Sequence, residues 1–337
     1  MKLIVNIPAY NEEDKIAETI GRIRKSFESD FYRTGPGTLL TEKRIQVIDD
    51  GSTDATATRA EEAGADLVIS YRPNRKLAYS FKRAVESSLE HGADFMVNID
   101  ADGQFDPDDI PKLLGPVISL ECDMTIANRF GNIAAKDIPW IRSFLNRFAA
   151  SMVGFFLNTK TEDLTCGFRA HNRETLMRLN LVNVNFTYTQ ETIIDAIGKN
   201  LKLRWIPIAV TYHSDRKPKI TKSIVKFVSN GFGIILKAVR DVRPMKFFGI
   251  PGLFMIGLSA ILFLVFLASY FQDFKISPYR NYLSFSAIFF VVGLQFVVFA
   301  LLADMVRSNR LLVEEQLYLT KKRLYEEKAD ETAPEKI

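Results

Sequence analysis

With 337 residues the chain has room for one large domain or two ordinary ones. Hydrophobic residues make up 47% and charged ones 25%, enough for a sizeable core, while a formal net charge of +4 is too mild to point to nucleic acid as a partner. Two cysteines, Cys122 and Cys166, exclude a disulfide framework and a cysteine metal cage and fit a reducing compartment.

Met1–Val5 runs straight into a strand pattern, without the length or cleavage site of a signal peptide. Leu3–Ile7 reads as a buried strand that stops at Pro8-Ala9-Tyr10-Asn11-Glu12-Glu13. Ile16, Ile20, Ile23 and Phe27 then fall at helical spacing. Gly35-Pro36-Gly37 marks a loop. Ile45–Ile48 is a second strand, ending at Asp49-Asp50-Gly51-Ser52-Thr53-Asp54, with a helix behind it to Ala63. Asp66–Ser70 predicts a third strand, Leu77–His91 a helix, and Asp94–Ile99 a central fourth strand. Strand alternating with helix predicts an α/β domain with a mostly parallel sheet. Ligands of such sheets sit beyond the carboxyl ends of strands. The three polar stretches at strand ends should therefore converge.

The fourth strand ends in Asp100-Ala101-Asp102-Gly103-Gln104. On an extended strand, two carboxylates two residues apart share a face. They repel unless a cation lies between them. Carboxylate oxygens suit Mg²⁺ or Mn²⁺, with a substrate diphosphate completing the shell, and Gln104 adds a carbonyl oxygen. The plainer reading of this stretch alone is a solvated acidic turn. No Gly-x-x-x-x-Gly-Lys and no Gly-x-Gly-x-x-Gly follows a strand, so phosphate neutralisation falls to a metal rather than to a glycine loop.

Taken together, Pro8–Glu13, Asp49–Asp54 and Asp100–Gln104 resemble the family 2 glycosyltransferases of the GT-A fold, and more narrowly the polyprenyl-phosphate glycosyltransferases of the dolichol-phosphate mannose synthase type. The resemblance covers residues 1–225. It implies a Rossmann-like, mostly parallel catalytic sheet, with Pro8, Tyr10, Glu12, Ile48, Asp50, Asp100 and Ala101 at the nucleotide. It implies Asp100, Asp102 and Gln104 at the metal and diphosphate. Arg129 and Arg142 match positions that bind lipid phosphate in that family, and Arg216 and Lys222 match positions contacting donor phosphates or the acceptor. Asp163-Leu164-Thr165-Cys166-Gly167-Phe168 resembles the family's Asp-x-x-(Ser/Cys)-Gly-Phe segment, with Asp163 as its candidate base.

Between these motifs the chain reads more plainly. Asp106, Asp108 and Asp109 suit the start of a helix. Met124–Ala127 is a further strand, ending at Asn128-Arg129. Pro139–Asn158 crowds aromatic and aliphatic residues onto one helix with Arg142 and Arg147 among them. A buried core helix and a helix resting on a membrane surface both fit that pattern. Cys166 reads as packing rather than a nucleophile. Tyr188–Ile197 is a helix and Leu203–Val210 a strand. His213, alone at ligand spacing, reads as structural or exposed.

Phe247–Phe271 is 25 residues without a charge and Asn281–Ala303 a further 23. Each exceeds the roughly 20 apolar residues that span a bilayer. They predict a transmembrane hairpin (247–271 and 281–303) after a basic amphipathic segment at 226–246. Between Arg216 and Lys246 stand nine Lys or Arg against one acid, while the Gln272–Arg280 loop has only Lys275 and Arg280. The positive-inside rule then puts the catalytic domain and both termini in the cytoplasm, and the basic approach suits anionic headgroups. The tail, 304–337, predicts a helix with near-heptad apolar residues over Leu311–Tyr325, either lying on a surface or packing on a neighbouring subunit of a homo-oligomer, then disorder from Glu326.

The resemblance implies an inverting transfer of a hexose from a nucleoside diphosphate sugar (UDP-glucose, UDP-GlcNAc or GDP-mannose) to a polyprenyl phosphate, dolichyl or undecaprenyl. Asp102, Asp163 and Arg129 are the candidate catalytic residues. A monoester phosphate is mostly a dianion at neutral pH, its second pKa being ~6. It needs positive charge more than a base. Asp163 is therefore expected to orient an arginine or the acceptor. Two other readings compete. A processive polysaccharide synthase carries Gln-x-x-Arg-Trp, but here Leu201 precedes Arg204-Trp205. A non-catalytic membrane adaptor would not need Asp100, Asp102 and Gln104.

Overall fold

Seven strands join in a single sheet in the computed structural model, which describes residues 1–130, 140–180, 188–210, 236, 240–277 and 279–331. In chain order the elements are β1 (Lys2–Ala9), α1 (Ile16–Ser26), α2 (Asp30–Arg33), β2 (Glu42–Asp49), α3 (Thr56–Glu62), β3 (Leu67–Ser70), α4 (Leu77–Glu90), β4 (Phe95–Asn98), α5 (Ile110–Ile118), β5 (Met124–Asn128), α6 (Trp140–Leu157), β6 (Arg169–Asn172), α7 (Arg173–Arg178), α8 (Tyr188–Gly198) and β7 (Leu203–Pro207). Two longer helices follow, α9 (Ile250–Asp273) and α10 (Arg280–Glu331).

The sheet order is β3-β2-β1-β4-β6-β5-β7. β1 pairs in parallel with both β2 and β4, so the chain order reverses across it, and in such sheets ligands bind at the carboxyl ends of the strands beside that switch point. The central strands are buried on both faces, as their near-continuous apolar sequences require. β6 departs from the expected pattern. It runs antiparallel to β4 and β5. Its sequence, Arg169-Ala170-His171-Asn172, has no strand-like alternation, and full burial between two neighbours decides its conformation instead. The last strand is also shorter than expected, ending at Pro207, whose missing N–H suits the end of an edge strand.

α6 has one buried face and one exposed apolar face. Ala150, Val153 and Leu157 are buried, while Phe148 and Phe155 are 56% and 67% exposed, seven residues apart on the other face.

The described chain divides into two units, one of Met1–Ile235 with Gln316–Ile337, the other of Leu236–Glu315. In the second unit two helices are long and apolar enough to cross a membrane, over Met245–Gln272 and Arg280–Glu327. They meet at glycines. A Cβ on Gly293 would lie 2.8 Å from Ile256 Cγ1 and 2.9 Å from the Gly252 carbonyl oxygen, so only glycine allows this approach. Farther along, Ser259 Oγ donates to the Ser286 carbonyl at 2.8 Å.

α10 does not stop at Ala303, where its apolar run ends. No Gly or Pro interrupts it before Glu331, and Arg310–Glu314 (2.6 Å) and Lys322–Glu326 (3.9 Å) pair at i,i+4. The helix thus covers part of the tail expected to be disordered. Its end belongs to the first unit. Tyr318 and Tyr325 are buried in the same apolar cluster as Phe81, Leu176, Met177 and Tyr188. Of the near-heptad residues, Tyr318 and Tyr325 pack within the chain's own first unit, while Leu311, Leu317 and Leu324 stay exposed.

Candidate active site

The three polar stretches do converge at the carboxyl ends of β1, β2 and β4. A ladder of buried amides holds these strands in step. Gln46 Nε2 donates to Asn6 Oδ1 (3.0 Å), Asn6 Nδ2 to Asn98 Oδ1 (2.7 Å), and Asn98 Nδ2 to the Gly167 carbonyl (3.0 Å). Asn6 and Asn98 each both give and take, while Gln46 donates through Nε2 to Asn6 and to the Ala84 carbonyl (3.3 Å), so most of this polar seam inside the sheet is paired. Beyond the strands, the first two loops are laced together. Ser52 Oγ accepts from Asn11 N (2.9 Å), Asn11 Oδ1 from Thr53 N (2.9 Å), and Thr56 Oγ1 from Glu12 N (2.9 Å). Asn11 takes φ 53°, a left-handed conformation that Asn tolerates well.

The residues expected at the nucleotide fall into two groups. Tyr10 is 41% exposed and offers a free aromatic face, with Pro8 and Glu12 half-buried near it in sequence. Asp50 is buried and accepts from Arg75 N at 2.7 Å, so one of its oxygens fixes the loop after β3. Ile48 is wholly buried in the apolar cluster under α4, and its side chain is core rather than pocket lining. Ala101 is likewise buried, its carbonyl accepting from Thr19 Oγ1 at 3.2 Å.

Asp100 and Asp102 are not brought together by strand alternation. β4 ends at Asn98, and both aspartates stand in the turn after it. Gly103, at φ 72°, turns the chain, and Asp102 Oδ1 accepts from Gln104 N at 3.0 Å. Lys15 Nζ donates to the Asp102 carbonyl at 3.2 Å. Burial, and then the neighbouring Asp102 charge, push the Asp100 carboxyl up to about 7. Removing that repulsion is what a divalent cation does. Among the described residues no group of three or more His, Cys, Asp or Glu encloses a metal. An open pair of carboxylates with an amide nearby suits a cation whose remaining positions go to substrate phosphate oxygens.

Arg129 and Asp163 form a second centre. Arg129 follows β5, Asp163 lies in the segment leading to β6, and their strands are neighbours. Arg129 Nε donates to Asp163 Oδ2 at 2.8 Å and Nη2 to Oδ1 at 3.0 Å, a two-pronged pair. Thr165 N adds a bond to Oδ1 at 3.0 Å. Burial alone would raise the Asp163 carboxyl, but the Arg129 guanidinium outweighs it and holds the group below the usual carboxylate range. Cys166 is wholly buried, and burial pushes its thiol up to about 12, as packing rather than nucleophilic duty requires.

Arg142 stands in α6, with its side chain outside the described residues. Arg216, Lys222 and His213 lie outside them altogether.

Three residues at this centre had no role in the sequence reading. Arg169 is wholly buried, donating to the Cys166 carbonyl (2.8 Å), Thr192 Oγ1 (2.5 Å) and the Thr189 carbonyl (2.7 Å). Burial lowers its pKa. Gly167 is the second. A Cβ there would lie 3.3 Å from each Asp100 carboxylate oxygen and 3.3 Å from the Tyr188 hydroxyl. Tyr188, the third, is 1% exposed, and its hydroxyl has no hydrogen-bond partner among the described residues. An arginine within an otherwise apolar Gly-Phe-Arg-Ala run was the one signal available in the sequence.

The family model described as glycosyl transferase family 2 matches residues 4–179. The chain belongs to that family. The laced loops, Asp100–Gln104, Arg129, Asp163 and Arg169 all lie within the matched residues, while α8 and the C-terminal helix lie beyond them. Among its family 2 relatives is the polyprenol monophosphomannose synthase of Mycolicibacterium smegmatis, 27% identical over 62% of this chain and 77% of that protein. Another is the dolichol-phosphate mannosyltransferase of Pyrococcus furiosus, 26% identical over 78% of this chain and 70% of the relative. The GT-A sheet also matches a solved structure, glucosyl-3-phosphoglycerate synthase of Mycobacterium tuberculosis. That match has a TM-score of 0.52 at 19% identity, covering 72% of this chain and 79% of the other. The protein is thus a family 2 glycosyltransferase, and both relatives are named for polyprenyl-phosphate or dolichol-phosphate mannose transfer.

Proposed function

We propose that the protein transfers a hexosyl group from a nucleoside diphosphate sugar to a polyprenyl phosphate, with inversion and with a divalent cation. The observation that carries this reading is the crowding of Asp100 and Asp102 at the end of the central strand, in a chain whose relatives are named for polyprenyl-phosphate sugar synthesis. Asp100, Asp102 and Gln104 would hold Mg²⁺ or Mn²⁺. When bound, the cation offsets negative charge on the leaving diphosphate. The solved neighbour was crystallised with Mn²⁺ and UDP, which supports the choice of ion class.

Tyr10 stacks on the donor base, and the Asn11–Thr53 lacing holds its loop in place. A phosphate oxygen of the acceptor attacks the anomeric carbon. The bond from that carbon to the donor diphosphate breaks, and its electron pair leaves with the nucleoside diphosphate. The acceptor dianion carries no proton to remove. Asp163, engaged by Arg129 and Thr165, aligns the arginine toward the acceptor phosphate instead of taking a proton. Arg142, Arg216 and Lys222 supply further positive charge. α9 and α10 span the bilayer as a hairpin, with the catalytic unit and both termini on the cytoplasmic side.

Membranes carrying the full chain test this. They are given labelled UDP-glucose, UDP-GlcNAc or GDP-mannose with undecaprenyl or dolichyl phosphate. The expected product is one single-sugar lipid, abolished by EDTA and restored by Mn²⁺ or Mg²⁺. Long polymer, or turnover indifferent to EDTA, refutes the proposal.

A further inference from the structure

Buried polar groups are nearly always paired, so an unpaired one calls for an explanation. The Tyr188 hydroxyl is such a group. It is the tip of the first residue of α8, 1% exposed, with no partner among the described residues. Its ring is fixed by packing on Phe81, centroids 4.9 Å apart. The neighbouring helix turn is fixed as well, since Arg169 ties the Thr189 carbonyl and Thr192 Oγ1 to the Cys166 carbonyl. The hydroxyl and both Asp100 carboxylate oxygens lie 3.3 Å from a single point, the place a side chain on Gly167 would occupy. Glycine leaves that point free of a side chain between the phenol and the carboxylate.

We infer that Tyr188 is a positioning residue for the cation site: its hydroxyl donates to the Asp100 carboxylate oxygen turned away from the ion and so orients the other oxygen. The inference rests on the metal-dependent reading above. A carboxylate that ligates a cation has its outer oxygen hydrogen-bonded, and loss of such an outer partner typically costs about 10–100-fold in metal affinity. A phenol suits this duty. It is a neutral donor and adds no charge beside the ion.

Tyr188→Phe removes the hydroxyl and nothing else. Mn²⁺ is titrated into the purified full chain in detergent, with UDP and with GDP in parallel, and free Mn²⁺ is read by electron paramagnetic resonance. Melting temperature is measured in EDTA. The expected result is an unchanged or raised melting temperature in EDTA, with Mn²⁺ binding weakened at least about tenfold. Gly167→Ala, which wedges a methyl between the two groups, should weaken Mn²⁺ in the same direction. Wild-type protein that binds Mn²⁺, with Tyr188→Phe within about twofold of it, overturns this inference alone. Wild-type protein that takes up no Mn²⁺ with either nucleotide overturns the metal reading and this inference with it.

Discussion

Arg129 grips Asp163 through two parallel hydrogen bonds, Nε to Oδ2 at 2.8 Å and Nη2 to Oδ1 at 3.0 Å, with the carboxylate wholly buried. A carboxylate so occupied is a poor proton acceptor. Asp163→Asn should therefore lower activity by on the order of a hundredfold through misplacement of Arg129, and raising the pH should not restore it. The check is a kcat profile from pH 6 to 9 for both proteins. Full recovery at high pH would assign Asp163 as a base.

The same pair has a stability consequence. The folded-state pKa of Asp163 lies below the unfolded value of ~3.9. Its contribution is therefore complete above that value and is lost as pH falls through the folded one. Arg129→Met strands a buried carboxylate and should cost about 3–5 kcal/mol at pH 7. With Arg129 gone burial raises the carboxyl, so the difference in melting temperature between wild type and Arg129→Met should begin to shrink above pH ~4 and close as pH falls through the lowered folded value of the wild type. A difference that stays constant into acid would mean that the pair does not stabilise the fold.

Much of this centre was legible beforehand because its parts are local. Short polar side chains at strand ends announced the loops that Asn11, Ser52 and Thr56 lace together. Asp100 and Asp102 were singled out from their acidity, but on a mistaken geometry, since the strand ends at Asn98 and a turn at Gly103 does the gathering. Ile48 was expected at the nucleotide from the family resemblance, and its side chain lies wholly in the core. Arg169 and Tyr188 were missed because what distinguishes them is three-dimensional. One is a charge buried among neutral oxygens, and the other a hydroxyl left without a partner. β6 escaped for a related reason, being a strand only by virtue of its neighbours.

Asp102→Asn and Asp100→Asn should each abolish the melting-temperature rise that Mn²⁺ with a nucleoside diphosphate gives the wild type, because ligand binding stabilises only what binds it. The loss of turnover should be on the order of a hundredfold or more, several kcal/mol of charge stabilisation being removed. Differential scanning fluorimetry in EDTA and in Mn²⁺ separates this from unfolding. A variant that keeps the full Mn²⁺ shift would remove that aspartate from the cation site.

The hairpin of the second unit makes a separate prediction. Gly293 admits no side chain, since a Cβ would sit 2.9 Å from the Gly252 carbonyl oxygen and 3.0 Å from Ile256 N. Backbone cannot retreat as a flexible side chain can. Gly293→Val should force α9 and α10 apart, at about 1–3 kcal/mol or more. Gly257→Ala is the control, because a Cβ there meets nothing within 4 Å. Thermal aggregation of the detergent-solubilised chain should fall to lower temperature for Gly293→Val and stay unchanged for Gly257→Ala. Equal behaviour of the two would mean that the close crossing does not hold the hairpin.

The end of α10 is tied into the first unit by polar contacts as well as apolar ones. Tyr318 Oη donates to Glu174 Oε2 at 2.8 Å, and the Arg178 guanidinium lies 4.0 Å from the Tyr318 ring centre. Lys321 Nζ donates to Asn180 Oδ1 at 3.0 Å and to the Met177 and Leu179 carbonyls at 3.3 and 3.4 Å, closing the carboxyl end of α7. Burial, then the neighbouring Lys199 charge, lower the pKa of Lys321, so part of the value of these bonds is spent on desolvation. Lys321→Met keeps the aliphatic stem and loses the three acceptors' donor, and should destabilise the first unit by about 1–3 kcal/mol. Tyr318→Ala removes a buried ring and should cost about 3 kcal/mol or more. Hydrogen exchange read by mass spectrometry should show faster exchange at the end of α7 and in α10 beyond Gln316 for both variants. Unchanged protection there would show that the helix end rests on the unit without holding it.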